Sequence, residues 1–187
     1  MNVYLHIFAL LTLLTLSACS NVRVSQDYSP GADFSTMQIY SWKSKEQKKT
    51  GNARIDNPLL NNRIRNTIER YLEEKGYQKA SEGSPDVYIS YEYIIESKIV
   101  SEGSGFGFGV GRSTRGRHGG ISLSSGGNVT ERDEATLIID FTDASTDNLV
   151  WRGSGTRRTT QHSSPEQKNR ETNELVENIL NQFPPLP

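Results

Sequence analysis

The stretch from residue 86 to residue 96 constrains the fold most, because its side chains alternate in character along the chain. One set of alternate positions is apolar or aromatic: Val87, Ile89, Tyr91, Tyr93 and Ile95. The set between them is mixed: Tyr88, Ser90, Glu92, Ile94 and Glu96. Successive side chains of a strand point to opposite faces, so this period of two predicts a strand with one buried and one largely solvated face.

A second alternating stretch predicts a hairpin. Apolar side chains recur at every other position from Ala135 to Phe141, and Leu149-Val150-Trp151-Arg152-Gly153 follows as a shorter strand. Between them lies Asp143-Ala144-Ser145-Thr146-Asp147-Asn148, whose Asp, Ser and Asn side chains are typical of turns. Two strands joined by such a turn predict an antiparallel pair.

One helix is predicted from its two ends and its apolar stripe. Asn57 is a good N-cap, Pro58 fits the first helical turn, and Gly76 fits the position just past the end. The stripe between them consists of Leu60, Ile64, Ile68, Tyr71 and Leu72. Residues three and four apart lie on one face of a helix, so this stripe predicts packing against a core.

The last helix is predicted to begin at a capping box. Ser164 caps it, Pro165 takes the first position, and Gln167 completes the box. Its apolar face is Thr172, Leu175, Val176, Ile179, Leu180 and Phe183. Pro184-Pro185 stops it, because proline cannot continue a helix.

These elements predict an α+β fold in the order β-α-β-β-β-α. Phe34 to Trp42 is interpreted as the first strand of this order, and residues 20–30 fit either an earlier strand or an extended tether. A strand–helix–strand crossover predicts a parallel pair, and the later strands are antiparallel. We therefore expect a two-layer sandwich, with two helices on one face of a mainly antiparallel sheet of about four strands.

The N-terminal segment predicts export and a lipid anchor. Val3 to Leu16 is almost wholly apolar but shorter than the roughly 20 residues that span a bilayer. It ends in Leu16-Ser17-Ala18-Cys19, which resembles the lipobox of bacterial lipoproteins. That resemblance implies cleavage between Ala18 and Cys19 and lipid on Cys19, the single cysteine of the chain. The alternative is an ordinary secretory signal with a cysteine near its cut.

The residue after the cysteine indicates a location. Ser20 stands where the sorting pattern of Gram-negative lipoproteins places aspartate for retention at the inner membrane. By that resemblance we expect the outer membrane, with the protein facing the periplasm. We assign residues 1–18 to the signal peptide and 19–33 to the lipidated N-terminus and tether or first strand. Residues 34–187 then form one domain.

A glycine-rich loop over residues 103–127 is the main candidate contact region. It carries Phe106, Phe108, Arg112, Arg115 and Arg117. Folded back near Arg152 on the last strand, and near Arg157 and Arg158, these side chains would form a basic patch for an anionic ligand or a membrane surface. The alternative is a solvated loop without a ligand. The formal net charge of −1 argues against a nucleic-acid partner.

The residues of catalytic and metal sites are scarce. The predicted mature chain has two histidines, His118 and His162, both in polar segments, and no second cysteine. We therefore expect no metal, no cofactor and no catalytic triad. Glu131, Asp133 and Glu134 form an acidic cluster before a strand, for which solvated strand entry is the simpler interpretation.

Several ordered patterns resemble one family. They are residues 27–34, 40–42, 57–64, 76–77, 85–87, 143–153 and 179–185. Together they are similar to the DUF4136 domain family over nearly all of the mature chain. The resemblance implies a bacterial lipoprotein of unassigned activity, with no catalytic residues to carry over and a variable central loop.

Two classes of function remain open at this point. The first is a lipid-anchored, non-catalytic binding or structural module of the cell envelope, with a protein, lipid or peptidoglycan partner. The alternative is an envelope hydrolase or a lipid-handling accessory protein. A hydrolase would use Glu131, Asp133 or Glu92 in a concave pocket, and lipid handling would need an apolar cavity between sheet and helices.

Deletion of residues 103–127 tests the contact assigned to the glycine-rich loop. We expect the shortened protein to keep its fold, measured by circular dichroism, and to lose the partner that co-purifies after crosslinking in cells. Retention of that partner by the shortened protein would remove the loop from the binding surface.

Overall fold

The computed structural model of the protein describes residues 22–44, 49–81, 83–102, 128–160 and 162–185. The predictions for the signal peptide and for Ala18 and Cys19 lie outside these residues. So do those for the glycine-rich loop, with Phe106, Phe108, Arg112, Arg115, Arg117 and His118.

Within the described residues, one six-stranded sheet and two α-helices make up the α+β fold. The strands are β1 (Arg23–Tyr28), β2 (Ile39–Trp42), β3 (Gln78–Lys79), β4 (Val87–Glu102), β5 (Asn128–Asp143) and β6 (Leu149–Thr159). Their order across the sheet is β1-β6-β5-β4-β2-β3. β2 is parallel to β3 and to β4, and the other neighbours are antiparallel. The predicted parallel crossover and the predicted β5–β6 hairpin are confirmed.

The prediction of about four strands is wrong, because two edge strands bring the sheet to six. Every residue of β1 is exposed, so no buried side chain marks it in the sequence. β3 has only two residues and pairs with β2 through the backbone. The strand predicted from Phe34 starts only at Ile39, because Asp33 caps a short 3-10 helix, Phe34–Thr36.

Both helices begin where their caps predict. In α1 (Pro58–Glu74) the side chain of Asn57 accepts a hydrogen bond from the backbone N–H of Leu59. In α2 (Pro165–Leu180) Ser164 accepts from the N–H of Gln167. The capping box is only half formed, because the side chain of Gln167 donates to Glu171 instead.

The two helices lie side by side and run in the same direction. Residues of α1 meet residues of α2 in rising order along both helices: Arg63 with Asn169, Thr67 with Asn173, Arg70 with Glu177, and Tyr71 with Asn181 of the following cap. In an antiparallel pair, the residue numbers of the contacts would fall along one helix as they rise along the other. The N-termini of both helices therefore lie at the same end of the sheet.

Two glycines let α2 approach β6 closely. A Cβ on Gly153 would stand 2.3 Å from Cη2 of Trp151 and 2.6 Å from Cγ2 of Ile179. A Cβ on Gly155 would stand 2.8 Å from Ile179 and from Leu175. A side chain at either position would force the side chains of Trp151, Leu175 or Ile179 out of their packed positions.

The core lies between the helices and one face of the sheet. Its fully buried members include Ile64, Ile68, Leu72, Ile89, Leu137, Ile139, Phe141, Trp151, Leu175 and Ile179. At the helix C-termini, the ring of Phe183 stacks on Phe141 at 4.2 Å and meets Trp151 edge-on at 5.1 Å between centroids. Phe183 follows the end of α2, so this contact fixes that end of the helix on the sheet.

Replacement of Gly155 by alanine tests the close approach. We expect Gly155→Ala to lower the free energy of unfolding by about 1–3 kcal/mol, the usual cost of overpacking a core. Urea denaturation measures the change. The matched control is Gly31→Ala, because a Cβ there meets nothing within 4 Å. Equal stability of the two variants would contradict the packing described.

Candidate functional site

Several features meet at one end of the sheet, where β4 finishes and β5 begins. We call this the hairpin end. β6 ends there, since Thr159 pairs with Asp133, and β1 begins there, since Arg23 pairs with Thr156. Beyond Thr159, β4 and β5 continue as a two-stranded arm to the pair of Glu102 with Asn128.

A cleft of about 480 Å³ lies at this end, between the first turns of both helices and the sheet. Its walls come from the segment before α1, from α1, from α2, and from β4 and β6. They are formed by Ala53, Arg54, Asn57, Leu59, Leu60, Arg63, Tyr93, Ile95, Arg157, Thr159, Thr160, Pro165, Lys168, Glu171, Thr172 and Leu175. This volume is in the range of small-molecule sites.

Two of the four cations in these walls are held by acidic partners. Nη1 of Arg54 lies 2.6 Å from Oδ2 of Asp133. Arg157, with only 13% of its side chain exposed, donates to the carbonyl of Glu171 and to Glu174. These contacts fix both guanidinium groups at the wall.

The other two cations have no acidic partner among the residues that the structure describes. Arg63 donates from Nε to the amide oxygen of Asn169. Lys168 lies one residue earlier on α2. In the part of the chain that the structure describes, no carboxylate is within ion-pair distance of either side chain. Their charges therefore stay available at the mouth of the cleft.

The floor of the cleft is apolar and aromatic. Tyr93 and Ile95 come from β4, Leu60 from α1 and Leu175 from α2. Burial raises the pKa of Tyr93 to about 12, so its hydroxyl stays neutral even at a pH where an exposed tyrosine ionises. Leu59 stands at the rim with 62% of its surface exposed. The cleft thus combines cationic walls with an uncharged floor.

The sheet separates Asp133 from Glu134 and Glu92, whereas the side chain of the fourth acidic candidate, Glu131, lies outside the described part of the structure. Asp133 lies on the helix side, where a hydrogen bond from Ser97, and then Arg54, hold its pKa below the usual value. Lys98 and Arg23 pair with Glu134 and likewise lower its pKa. Glu92 is exposed on the face opposite Asp133. The structure therefore does not bring Glu92 together with Asp133.

Arg152 lies on the open face of the sheet rather than at the cleft. Its Nε and Nη2 donate to the two carboxylate oxygens of Asp140, at 2.7 and 2.6 Å. This bidentate pair occupies the guanidinium group. Arg157 points to the helix face and Arg158 to the open face, so Arg152, Arg157 and Arg158 do not share one face of the sheet. The loop arginines of the predicted basic patch lie outside the described residues.

His162 is exposed just before α2. Among the described residues, no three His, Cys, Asp or Glu side chains converge as metal ligands. None of the helices described has the length and apolar character that crossing a bilayer requires.

Sequence reasoning missed the cations of the cleft. Arg54, Arg63 and Lys168 come from three separate segments and form no local motif. The two N-caps were visible signals of helix starts, but only the parallel packing of α1 on α2 brings those starts together.

The fold defines an α+β protein with two parallel helices on one face of a mixed sheet. A PDZ domain protein from Parabacteroides distasonis shares this fold, with a TM-score of 0.54 at 13% identity. The match covers 97% of this chain but only 40% of that one. Two structures of the PelC dodecamer from Paraburkholderia phytofirmans are less similar, at 12% and 13% identity and TM-scores of 0.37 and 0.46. They cover 85% and 84% of this chain and 94% and 96% of theirs.

A match to a family model shows which family the chain belongs to. Residues 24–185 match the model of the domain of unknown function DUF4136. The chain belongs to the DUF4136 family, as the resemblance predicted. No curated protein matches it.

The raised pKa of Tyr93 predicts a loss of stability in alkali. An unfolded tyrosine ionises near pH 10, whereas folded Tyr93 stays neutral until about pH 12, so the free energy of unfolding falls between these values. We expect Tyr93→Phe to remove about 2 kcal/mol of that fall by pH 12. Urea denaturation from pH 9 to pH 12 measures it.

Tyr88→Phe, on the opposite face of β4, is the matched control. Identical pH profiles for Tyr93→Phe and the unsubstituted protein would contradict the burial of the Tyr93 hydroxyl.

Proposed function

We propose that this protein is a lipid-anchored, non-catalytic binding module of the cell envelope. It is tethered through Cys19 to the periplasmic face of the outer membrane and acts by contact through its hairpin end. The observation that carries the proposal is the position of β1, which starts at Arg23 at that end of the sheet.

The short link makes this orientation specific. Arg23 follows Cys19 by four residues, and a chain of that length spans at most about 14 Å. A lipid on Cys19 would therefore hold the hairpin end next to the bilayer surface. The segment 103–127 also leaves β4 and enters β5 at this end. The cleft and the glycine-rich loop would then face the same membrane region.

Lipid handling is the second candidate, and the apolar floor of the cleft favours it. Tyr93, Ile95 and Leu60 offer an uncharged surface beside cationic walls. The hydrolase alternative has less support. Acid–base catalysis by carboxyl groups uses a pair of carboxyls with separated pKa values. Here Asp133 has a lowered pKa and is paired with Arg54.

Substitution of Cys19 tests the anchor. We expect Cys19→Ser to abolish incorporation of labelled fatty acid. The protein should then be found either as a soluble form or as a precursor that keeps its signal peptide. The matched control is Ser17→Ala, which keeps a small residue in the lipobox. This variant should still incorporate labelled fatty acid. Fatty-acid labelling of Cys19→Ser equal to that of the unsubstituted protein would refute the proposed site.

Substitution of Ser20 tests the location separately. We expect Ser20→Asp to shift the lipidated protein to the inner-membrane fraction of a sucrose gradient, because aspartate there resembles the retention signal. Ser20→Asn has a similar shape without the charge and should stay in the outer-membrane fraction. Unchanged fractionation of Ser20→Asp would count against the outer-membrane assignment.

A further inference from the structure

We infer that the cleft binds the phosphate headgroup of an anionic lipid of the anchoring membrane, held by Arg63 and Lys168 above the apolar floor. This inference rests on the proposed function, because it names the ligand of a site that the anchor would bring to the bilayer.

The charge of the cleft favours an anion. Among the described residues, the cleft is lined by four cations, Arg54, Arg63, Arg157 and Lys168, and by one carboxylate, that of Glu171. Glu171 already accepts from Gln167 and lies 3.7 Å from Arg157. Asp133 and Glu174 offset Arg54 and Arg157 from outside the lining. Arg63 and Lys168 are left without an acidic partner among the described residues.

The two helix starts add to this charge. Asn57 and Pro165 both line the cleft, so the N-terminal ends of α1 and α2 open onto it together. The backbone dipoles of a helix place partial positive charge at its N-terminus, and two parallel helices place it on the same side of the cleft. An anion at the mouth of the cleft gains from both helices.

The floor distinguishes an amphiphile from a free anion. Tyr93, Ile95 and Leu175 form an uncharged base under the cations, and Leu59 exposes 62% of its surface at the rim. Apolar surface removed from water is worth about 25 cal/mol per Å². A phosphate ion alone would leave this surface wet, whereas the glycerol and first acyl carbons of a lipid would cover it.

The anchor supplies the lipid at short range. The four-residue link limits the distance from Cys19 to Arg23 to about 14 Å, and Arg23 lies at the same end as the cleft. Anionic headgroups also attract basic side chains within a few ångströms of the surface. The cleft therefore meets headgroups at high local concentration without leaving its tether.

The test uses the full lipidated chain in vesicles and follows amide hydrogen exchange. Neutral phosphatidylcholine vesicles are compared with vesicles that also contain phosphatidylglycerol. Apart from the N–H groups of Leu59 and Gln167, which the caps bind, first-turn amides of a helix lack intrahelical acceptors and exchange fast. We expect anionic vesicles to slow exchange in peptides covering 57–64 and 162–172 by about fivefold, as one added hydrogen bond would.

Two charge-matched variants locate the effect. Arg63→Gln with Lys168→Gln should abolish the slowing, and Lys168→Gln alone should reduce it without touching the core, because Lys168 is exposed. Lys98→Gln with Arg158→Gln removes the same charge from the hairpin end on the other face of the sheet. This control should keep the slowing. Equal slowing in the Arg63–Lys168 variant and the control would overturn the inference.

A third experiment distinguishes a lipid phosphate from a soluble phosphate as the ligand. Soluble glycerol phosphate added to neutral vesicles should give little slowing, because it cannot cover the floor. Full slowing by glycerol phosphate would overturn the lipid assignment. Flotation comes first: a chain that does not float with neutral vesicles refutes the anchor, whereas one that floats and shows no slowing refutes only the cleft.

Discussion

The approach of α2 to β6 is the constraint on which the rest of the structure depends. Gly153 and Gly155 have no side chains, and Ile179 and Leu175 fill the space above them. Burial of these residues, with Phe183 stacked on Phe141 beyond the helix, sets both the height and the direction of α2. With α2 held this close, the helix-side face of the sheet has one strip of apolar surface left, and the apolar stripe of α1 covers that strip.

The direction of α2 also decides what the protein presents at its hairpin end. α1 runs from this end because β2 and β4 are parallel and the chain must cross back over the sheet between them. α2 runs the same way because β6 ends there. Two helix starts, the start of β1 and the mouth of the cleft therefore share one end. The opposite end is closed by the aromatic side chains around Phe183.

Much of the fold was predictable, and most of the cleft was not. The stripe of α1, the face of α2 and the alternation of β4 depend on local periodicity, so the sequence shows them directly. β1 has no buried residue, so the sequence left residues 20–30 open between a strand and a tether. β3 has only two positions and leaves no pattern. Arg152 pairs with Asp140 on the neighbouring strand, and Arg63 and Lys168 reach the mouth of one cleft from separate helices. The first pairing depends on the register of the strands, and the second on how the helices pack.

The sequence by itself determined where both helices begin, the two buried strand faces and the family, because caps, periodicity and motif order are local properties. It did not determine the end of α2 at Leu180, since the apolar face predicted for this helix continued to Phe183. It also supplied the prediction of an anchor at Cys19, which rests on one short motif. Only the tertiary structure decided that six strands form the sheet, that the helices are parallel, and that Arg54, Arg63, Arg157 and Lys168 line one cleft. These facts follow from which surfaces bury one another, and residues more than 100 positions apart carry no local signal of that choice.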